Sequence, residues 1–296
     1  MPKIELLNSK ILTEFPSGSS INYHREKLYL IGDDAKDILI LDKDYQQIES
    51  LQLFNYPGKR IPKADKVDLE ASAFITIHQQ EYFLLVGSAS KPQREKVFLI
   101  PLTETGLDMK SLRIYDDDKF TDRLKRKGID EVNMEGITIL NDYLILTNRG
   151  NRKNPDNYFL ITEVGFWRED KKVNLNIVSV QINASDAPSI SEICYVETFD
   201  ILLLTLSTEA SDNAYDDGAI GNSYVGFINN ISSKLNNNEL VIDTLINLSD
   251  VHADFKNEKI EGICVESVHD KTLIIHLVSD NDNGESKLFK AKLLLP

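Results

Sequence analysis

A carboxylate, usually followed by Gly or Ala, opens an apolar run at several places along the chain. The copies begin at Leu69-Glu70-Ala71, Met134-Glu135-Gly136, Ser191-Glu192-Ile193 and Ile260-Glu261-Gly262, with a hydroxyl version at Ser19-Ser20-Ile21. From Ser20 onward, successive copies are separated by 50, 65, 57 and 69 residues. Repeats of this length are typical of β-propellers and other repeat arrays. We therefore expect each repeat to place one of these polar side chains at an equivalent position.

Carboxylates that converge on one axis repel each other unless something offsets their charge. At ~6 Å the repulsion is about 3 kcal/mol per pair at an effective dielectric constant of about 20. Oxygen ligands without a nearby His or Cys suit a hard cation, and Ca²⁺ tolerates variable geometry better than Mg²⁺. The alternative is a water-filled channel whose glutamates are bound to backbone amides. We predict a metal site, with Ca²⁺ the expected ion, at Ser20, Glu70, Glu135, Glu192 and Glu261.

Basic and hydroxyl side chains lie in two predicted loops that border the acidic residues. One loop contains Asn148, Arg149 and Arg152, and the other contains Ser88 and Arg94. Guanidinium groups beside hydroxyls suit phosphate or carboxylate groups. We expect these residues to bind a small-molecule ligand, with a phosphorylated molecule the leading candidate. The alternative is that the cations only offset the acidic mouth.

A metal beside a phosphate ligand favours a hydrolase of phosphoric esters or anhydrides. Such an enzyme uses the metal to orient water or polarise a phosphoryl oxygen, and a nearby carboxylate as base. The candidates for that base are Asp33, Asp34 and Glu70, and the sequence does not choose among them. One alternative is a noncatalytic propeller that binds a ligand or protein around a structural ion. Another is a lactonase or esterase of the six-bladed metal-propeller kind.

Each repeat divides into about four strand-like apolar runs separated by turn residues, which predicts an all-β fold. The last repeat has only three runs, and the run at Ile4–Leu12 can supply its outer strand. Joining both ends of the chain in one sheet closes a ring and removes an exposed sheet edge. We predict one domain over residues 1–296, a five-bladed β-propeller with four-stranded blades. The predicted blades span 17–54, 66–116, 132–183, 188–248, and 259–296 with 4–12.

The predicted blades also locate the site. In a propeller blade the innermost strand lines the central channel, and the loop leading into it lies on the same face as the second-to-third loop. The repeated carboxylates are therefore expected at the channel mouth, with the second-to-third loops around them as a rim.

One segment breaks the strand pattern. Phe120 and Leu124 are four residues apart among charged residues of Lys119–Lys127. This spacing predicts a short surface helix before the third blade.

Composition limits the classes of partner. The formal net charge is −14, which argues against nonspecific nucleic-acid binding and against an anionic membrane surface. The N-terminus lacks the apolar segment of a secretory signal, and the apolar runs are strand-sized, so we expect a cytoplasmic location. Cys194 and Cys264 are the only cysteines, and both lie in copies of the repeated phrase. Two strand-borne thiols are most simply small buried side chains.

The chain resembles the soluble calcium-activated nucleotidases, or apyrases, in Leu28-Tyr29-Leu30-Ile31-Gly32-Asp33-Asp34, in its Glu-led inner strands and in the closing Ile260-Glu261-Gly262-Ile263. That resemblance implies a five-bladed propeller with Ca²⁺ in the central tunnel and hydrolysis of nucleoside di- and triphosphates. It implies calcium-binding roles for Ser20, Glu70, Glu135 and Glu261. The sequence departs from the family at Glu192, where Ser is typical, and at Ala71, where Trp is typical. The Glu-Gly-Ile phrases equally resemble phytase-like and SdiA-regulated propellers.

Overall fold

The computed structural model describes residues 2–168, 173–209, 213, 218 and 220–296. Five separate sheets, each with four main antiparallel strands, are arranged as a five-bladed β-propeller. In each blade, the strand that carries the repeated phrase contacts the corresponding strands of both neighbouring blades. These five strands are therefore innermost and surround the channel. The predicted all-β, five-bladed architecture is confirmed.

The blades follow one another along the chain, except that the first strand, β1 (Lys3–Leu12), belongs to blade 5. Blade 1 contains β2 (Gly18–His24), β3 (Lys27–Gly32), β4 (Asp37–Leu41) and β5 (Gln47–Gln52). Blade 2 contains β6 (Leu69–Ile77), β7 (Gln80–Gly87), β8 (Lys96–Thr103), the short β9 (Gly106–Leu107) and β10 (Arg113–Asp116). Blade 3 contains β11 (Met134–Leu140), β12 (Tyr143–Asn148), β13 (Asn157–Glu163) and β14 (Leu175–Gln181).

Blade 4 contains β15 (Ser189–Val196), β16 (Ile201–Glu209), β17 (Ile220–Asn229) and β19 (Thr244–Asn247). Between its last two strands, β18 (Glu239–Val241) pairs in parallel with β14 of blade 3. Blade 5 contains β20 (Ile260–His269), β21 (Thr272–Asp280) and β22 (Ser286–Leu294), with β1 outermost. The sequence did not predict β9, which extends blade 2. It predicted one blade-4 strand over Leu240–Ile246, where the structure has β18, which extends blade 3, followed by β19.

Closure of the ring joins the two ends of the chain in one sheet. β1 pairs antiparallel with β22, from Lys3 opposite Leu294 to Leu12 opposite Ser286. At the junction with blade 1, Tyr45 Oη and His276 Nδ1 lie 2.8 Å apart, and both side chains are fully buried. The predicted closure by the N-terminal strand is confirmed.

The apolar core is divided into five clusters, one between each pair of neighbouring blades. Strands in the middle of a blade are buried on both faces, which explains continuous apolar runs such as Ile201–Leu206. In the closed ring, each blade therefore packs apolar side chains against both of its neighbours.

One α-helix occurs in the described part of the chain: α1 covers Asp118–Arg126 and confirms the helix predicted before blade 3. Its buried Phe120 and Leu124 join the cluster between blades 2 and 3, and the Phe120 ring lies 4.6 Å from that of Phe166. Within the described ranges, no helix is long and apolar enough to cross a membrane.

Asp117, the residue before α1, is a buried carboxylate that makes the stability of the protein depend on pH. It is 1% exposed, and neither carboxylate oxygen has a hydrogen-bond partner among the described residues. Burial, with a further contribution from the charge of Glu95, raises the pKa of Asp117 to about 8. The folded state therefore keeps a proton that the unfolded chain releases near pH 3.8, so stability falls as pH rises from about 4 to 8.

We expect Asp117→Asn to remove this part of the pH dependence. Relative to the parent protein, its free energy of unfolding should be higher at pH 9 than at pH 5 by at least about 1 kcal/mol. Urea unfolding at the two pH values measures the difference, with the half-exposed neighbour Asp118→Asn as control. An equal effect of Asp117→Asn at both pH values would contradict the assignment.

Candidate functional site

Each innermost strand contains a β-bulge where it enters the channel. A bulge leaves a residue unpaired, re-aims its side chain and is frequent beside active sites. The repeated phrase of the sequence therefore marks five equivalent bulges. The unpaired residues are Ser19, Glu70, Glu135 with Gly136, Ser191 and Glu261.

The bulges shift two of the five predicted ring positions by one residue. In blades 1 and 4 the unpaired residues are Ser19 and Ser191, so Ser20 and Glu192 lie one position further along their strands. The backbone amides of Gly136 and Glu192 each donate to a threonine hydroxyl at matching positions of the adjacent strand. Glu192 is thus equivalent to the residue after Glu135, and the expected equivalence of Ser20 and Glu192 with the other glutamates is wrong.

Glu192 and Ser20 instead lie below the mouth, inside the channel. Glu192 is 1% exposed, and its Oε2 accepts a hydrogen bond from Ser20 Oγ at 2.6 Å. Its Oε1 accepts from the backbone amides of Ile137 and Ile193, both at 3.0 Å. Burial raises the pKa of Glu192 well above its ordinary value. This carboxyl group links blades 1, 3 and 4, and it faces a hollow on the opposite side of the ring.

The mouth cavity holds the other three predicted glutamates. Its free space is about 820 Å³, including the part open to solvent. Carboxylates exceed cations by three in its lining, counting every group as ionised. The carboxylates are Asp33, Asp68, Glu70, Glu135, Glu209, Glu261, Asp280 and Asp282, and the cations are Lys63, Lys66, Arg94, Arg149 and Lys259.

Arg149 is the centre of one charge network in this cavity. Its guanidinium contacts Glu135 at 3.2 Å, Glu209 at 3.3 Å and Glu261 at 3.5 Å, which joins blades 3, 4 and 5. Lys259 adds contacts to Glu261 at 2.9 Å and Glu209 at 3.0 Å. Protein cations therefore lie among these glutamates, where the sequence predicted a metal ion.

The pKa values in this network differ because the cations are shared unequally. Burial alone would raise the pKa of Glu209, but Lys259 and Arg149 lower it to about 2. The same two cations hold the pKa of Glu261 below its ordinary value against the effect of burial. Burial raises the pKa of Glu135 to about 7, although Arg149 opposes the shift.

A second group, the carboxylate cluster, consists of Asp33, Asp68 and Glu70. One oxygen of each residue lies within 4.8 Å of the others. Lys66 Nζ contacts Asp33 Oδ2 and lies 2.8 Å from Asp68 Oδ1. Asp33 Oδ1 is buried without a hydrogen-bond partner, and Glu70 has neither an ion pair nor a hydrogen bond among the described residues.

Negative charge in the cluster is only partly compensated. Burial, followed by the charges of Glu135, Asp68 and Asp33, raises the pKa of Glu70 well above its ordinary value. Burial also raises the pKa of Asp33 to about 6, although Lys66 opposes the shift. Nearby Asp280 is 6% exposed, accepts one hydrogen bond from the Asp282 amide at 2.9 Å, and has a pKa raised chiefly by burial.

The donor set of the cluster fits a hard divalent cation. All three residues offer carboxylate oxygens, with no His or Cys ligand among them, and one oxygen is buried without a partner. Two oxygens on opposite sides of Ca²⁺ lie about 5 Å apart, and one oxygen from each of the three residues lies within 4.8 Å of the others. The four calcium-binding residues that the resemblance implies do not lie together. Glu70 lies in the cluster, Glu135 and Glu261 contact Arg149, and Ser20 lies deeper in the channel.

The predicted ligand-binding residues are mostly engaged within the protein. Arg94, 1% exposed, contacts Asp68, and Ser88 Oγ donates to Asp68 Oδ2 at 2.5 Å. Asn148 is 2% exposed and accepts the Asn133 amide at 2.9 Å. Arg94 and Arg149 line the mouth cavity, whereas Arg152 is exposed and borders an adjoining hollow.

The candidate bases are also separated. Asp33 and Glu70 line the mouth cavity, whereas Asp34 does not, and its Oδ2 is 2.6 Å from Arg60 Nε.

Sequence reasoning missed several charged residues of the cavity. Lys66 and Asp68 precede Glu70 by four and two residues, and Lys259 precedes Glu261 by two. The sequence did contain a signal for them: charged residues at alternate positions immediately before a repeated phrase. The chain approaches the channel mouth at these positions. Glu209 and Asp280 end second strands of their blades, beside the second-to-third loops that were expected to form the rim, and both line the cavity.

The chain belongs to the family DUF6929, a family of unknown function, whose profile matches residues 14–293. Comparison with curated proteins finds no match. Glutaminyl cyclase from Myxococcus xanthus has a similar structure, with a TM-score of 0.54 and 10% identity over 100% of this chain and 98% of that protein. Virginiamycin B lyase from Staphylococcus aureus aligns over 100% of both chains with 11% identity and a TM-score of 0.35. The cyclase likeness supports the propeller fold and does not extend to activity.

Arg149→Met should destabilise the protein, because it leaves Glu135 without its cation in a buried network. Breaking a buried ion pair from one side costs about 3–5 kcal/mol. We expect a loss near the lower value at pH 8, and a smaller loss at pH 5, where Glu135 takes up a proton. Urea unfolding at both pH values measures the effect.

Two further variants control this experiment. Arg152→Met removes an exposed arginine from the same loop and should change the free energy of unfolding by no more than about 0.5 kcal/mol. Adding Glu135→Gln to Arg149→Met should recover part of the loss. A destabilisation by Arg149→Met that is no larger than that by Arg152→Met would contradict the role of Arg149.

Proposed function

We propose that this member of DUF6929 binds a divalent cation, Ca²⁺ first among them, at the mouth of the propeller channel. The proposed ligands are carboxylate oxygens of Asp33, Asp68 and Glu70. The observation that carries the proposal is the buried Asp33 Oδ1, which lacks a hydrogen-bond partner among the described residues, in a cluster with Glu70, which has no ion pair there. The calcium-activated nucleotidases that the sequence resembles provide the expectation of Ca²⁺.

Charge in the mouth cavity supports a cationic ligand more directly than an anionic one. Its carboxylates outnumber its cations, and Arg149 and Arg94 already contact carboxylates. An anionic molecule would therefore meet net repulsion unless a metal ion compensated the cavity. The proposal thus makes the ion the primary ligand, and any phosphorylated molecule a second ligand that depends on it.

The favoured form of the proposal is a noncatalytic propeller that holds an ion and binds a small polar ligand above it. Asp68 is well suited to hold an ion, because Arg94 and Ser88 fix its Oδ2 while Oδ1 faces the cluster. Glu70 is fixed by the bulge of β6 and belongs to an inner strand. Glu70 thus lies on a strand and Asp68 is held by two partners, which favours a defined coordination geometry.

Hydrolysis of phosphorylated small molecules, such as nucleotides, is the second candidate. The observation that favours it is the pKa of Glu135, about 7, because an acid or base with a pKa near neutrality is effective in proton transfer. A bound Ca²⁺ would supply Lewis-acid polarisation of a phosphoryl oxygen. In this form Glu135 is the candidate base, since it lines the cavity, whereas Asp33 and Glu70 would hold the ion.

Titration calorimetry with CaCl₂ tests the cation proposal. The parent protein should bind one ion at the mouth, and Glu70→Gln should weaken binding at least about tenfold because it removes a charged ligand. Glu192→Gln, which changes the carboxyl group below the mouth, should leave the affinity within about twofold. Binding that is lost in Glu192→Gln but kept in Glu70→Gln would contradict the proposed ligands, and no binding by the parent protein would refute the proposal.

The hydrolase candidate is tested with nucleotides and phosphate esters in the presence and absence of EDTA. If it is correct, turnover requires the metal and falls at least about a hundredfold in Glu135→Gln, the loss typical of removing a proton-transfer group. Absence of metal-dependent turnover on every substrate removes this candidate and leaves the noncatalytic form.

A further inference from the structure

We propose that the Lys66 ammonium group is an internal competitor for the cation, occupying the carboxylate cluster until the ion displaces it. This inference rests on the proposed function, because it concerns how the same site is filled. It predicts that the affinity of the protein for the cation depends on the lysine as well as on the carboxylate ligands.

The contacts of Lys66 place its charge inside the cluster. Nζ contacts Asp33 Oδ2 and lies 2.8 Å from Asp68 Oδ1, and the side chain is 10% exposed. These are two of the three residues proposed to hold the ion. An ammonium group and a divalent cation cannot share the same carboxylate oxygens at close range, because their charges repel.

Lys66 is suited to leave the cluster, whereas the other cation there is not. Lys66 lies in the loop between β5 and β6, where its amide donates to Pro62 O at 3.0 Å. Its flexible stem lets the ammonium group move while the backbone stays in place. Arg94, in contrast, is 1% exposed and contacts both Asp68 and Ser90. Arg94 therefore positions Asp68, and Lys66 supplies the exchangeable charge.

Lysine in this position also explains how the cluster is maintained without an ion. Carboxylates held this close would repel one another or take up protons in the absence of positive charge. The ammonium group compensates Asp33 and Asp68 but makes no ion pair with Glu70. A divalent ion can compensate all three, so exchange of lysine for the ion is favourable at sufficient ion concentration.

Calorimetric titration of CaCl₂ into Lys66 variants tests the inference. Lys66→Met should bind Ca²⁺ at least about tenfold more tightly than the parent protein, because the competitor is absent. Lys259→Met is the matched control: it also removes one buried lysine from the mouth cavity, but Lys259 contacts Glu209 and Glu261 rather than the cluster. The control should change affinity by no more than about threefold.

Lys66→Arg and Lys66→Gln make the test independent of the folding of a single variant. Lys66→Arg should keep the affinity near that of the parent protein, while Lys66→Gln should bind more tightly, as Lys66→Met does. Thermal unfolding followed by circular dichroism identifies which variants are folded. In the parent protein, the NMR signal of the Lys66 side chain should shift on addition of Ca²⁺.

The outcomes separate the two claims. Equal effects of Lys66→Met and Lys259→Met indicate a general charge effect and overturn the inference, while the cation site stands. Weaker binding by both Lys66→Met and Lys66→Gln also overturns it, because the lysine then assists the ion. If neither the parent protein nor any folded variant binds Ca²⁺, the proposed function fails and the inference fails with it.

Discussion

The structure depends on compensation of negative charge where five strands converge. A closed ring of blades brings the bulged ends of its innermost strands to one mouth, and three of those bulges present glutamate. Arg149 joins Glu135, Glu209 and Glu261 from three blades, so the same contacts that neutralise the mouth also connect the ring. Around Asp33 and Glu70 compensation is incomplete. That difference within one cavity separates a structural charge network from a candidate binding site.

The fold was predictable because its main determinants are local. Apolar runs such as Ile201–Leu206, separated by turn residues, identify buried strands without knowledge of their partners. The unassigned run at Ile4–Leu12 identified the closing strand, since one repeat was a strand short. By contrast, β18 (Glu239–Val241) pairs with a strand of another blade, and such a short segment carries no periodicity of its own.

The candidate site was predictable only in part. Glu70, Glu135 and Glu261 follow from the repeated phrase, because each occupies a bulge. Where two polar residues are adjacent, as in Ser19-Ser20 and Ser191-Glu192, the phrase does not determine which one is unpaired, and the register then differs by one residue. The ion pairs of Arg149 and Lys66 connect different blades and loops, and their partners depend on the assembled ring.

The central claim is that a divalent cation occupies the carboxylate cluster and displaces the lysine from it. An anomalous-difference map from crystals grown with Mn²⁺ in place of Ca²⁺ tests this most directly. The account predicts a peak within about 2.0–2.6 Å of oxygens from Asp33, Asp68 and Glu70, with Lys66 Nζ moved away. A map without a peak there, with Lys66 still contacting Asp33 and Asp68, would contradict it.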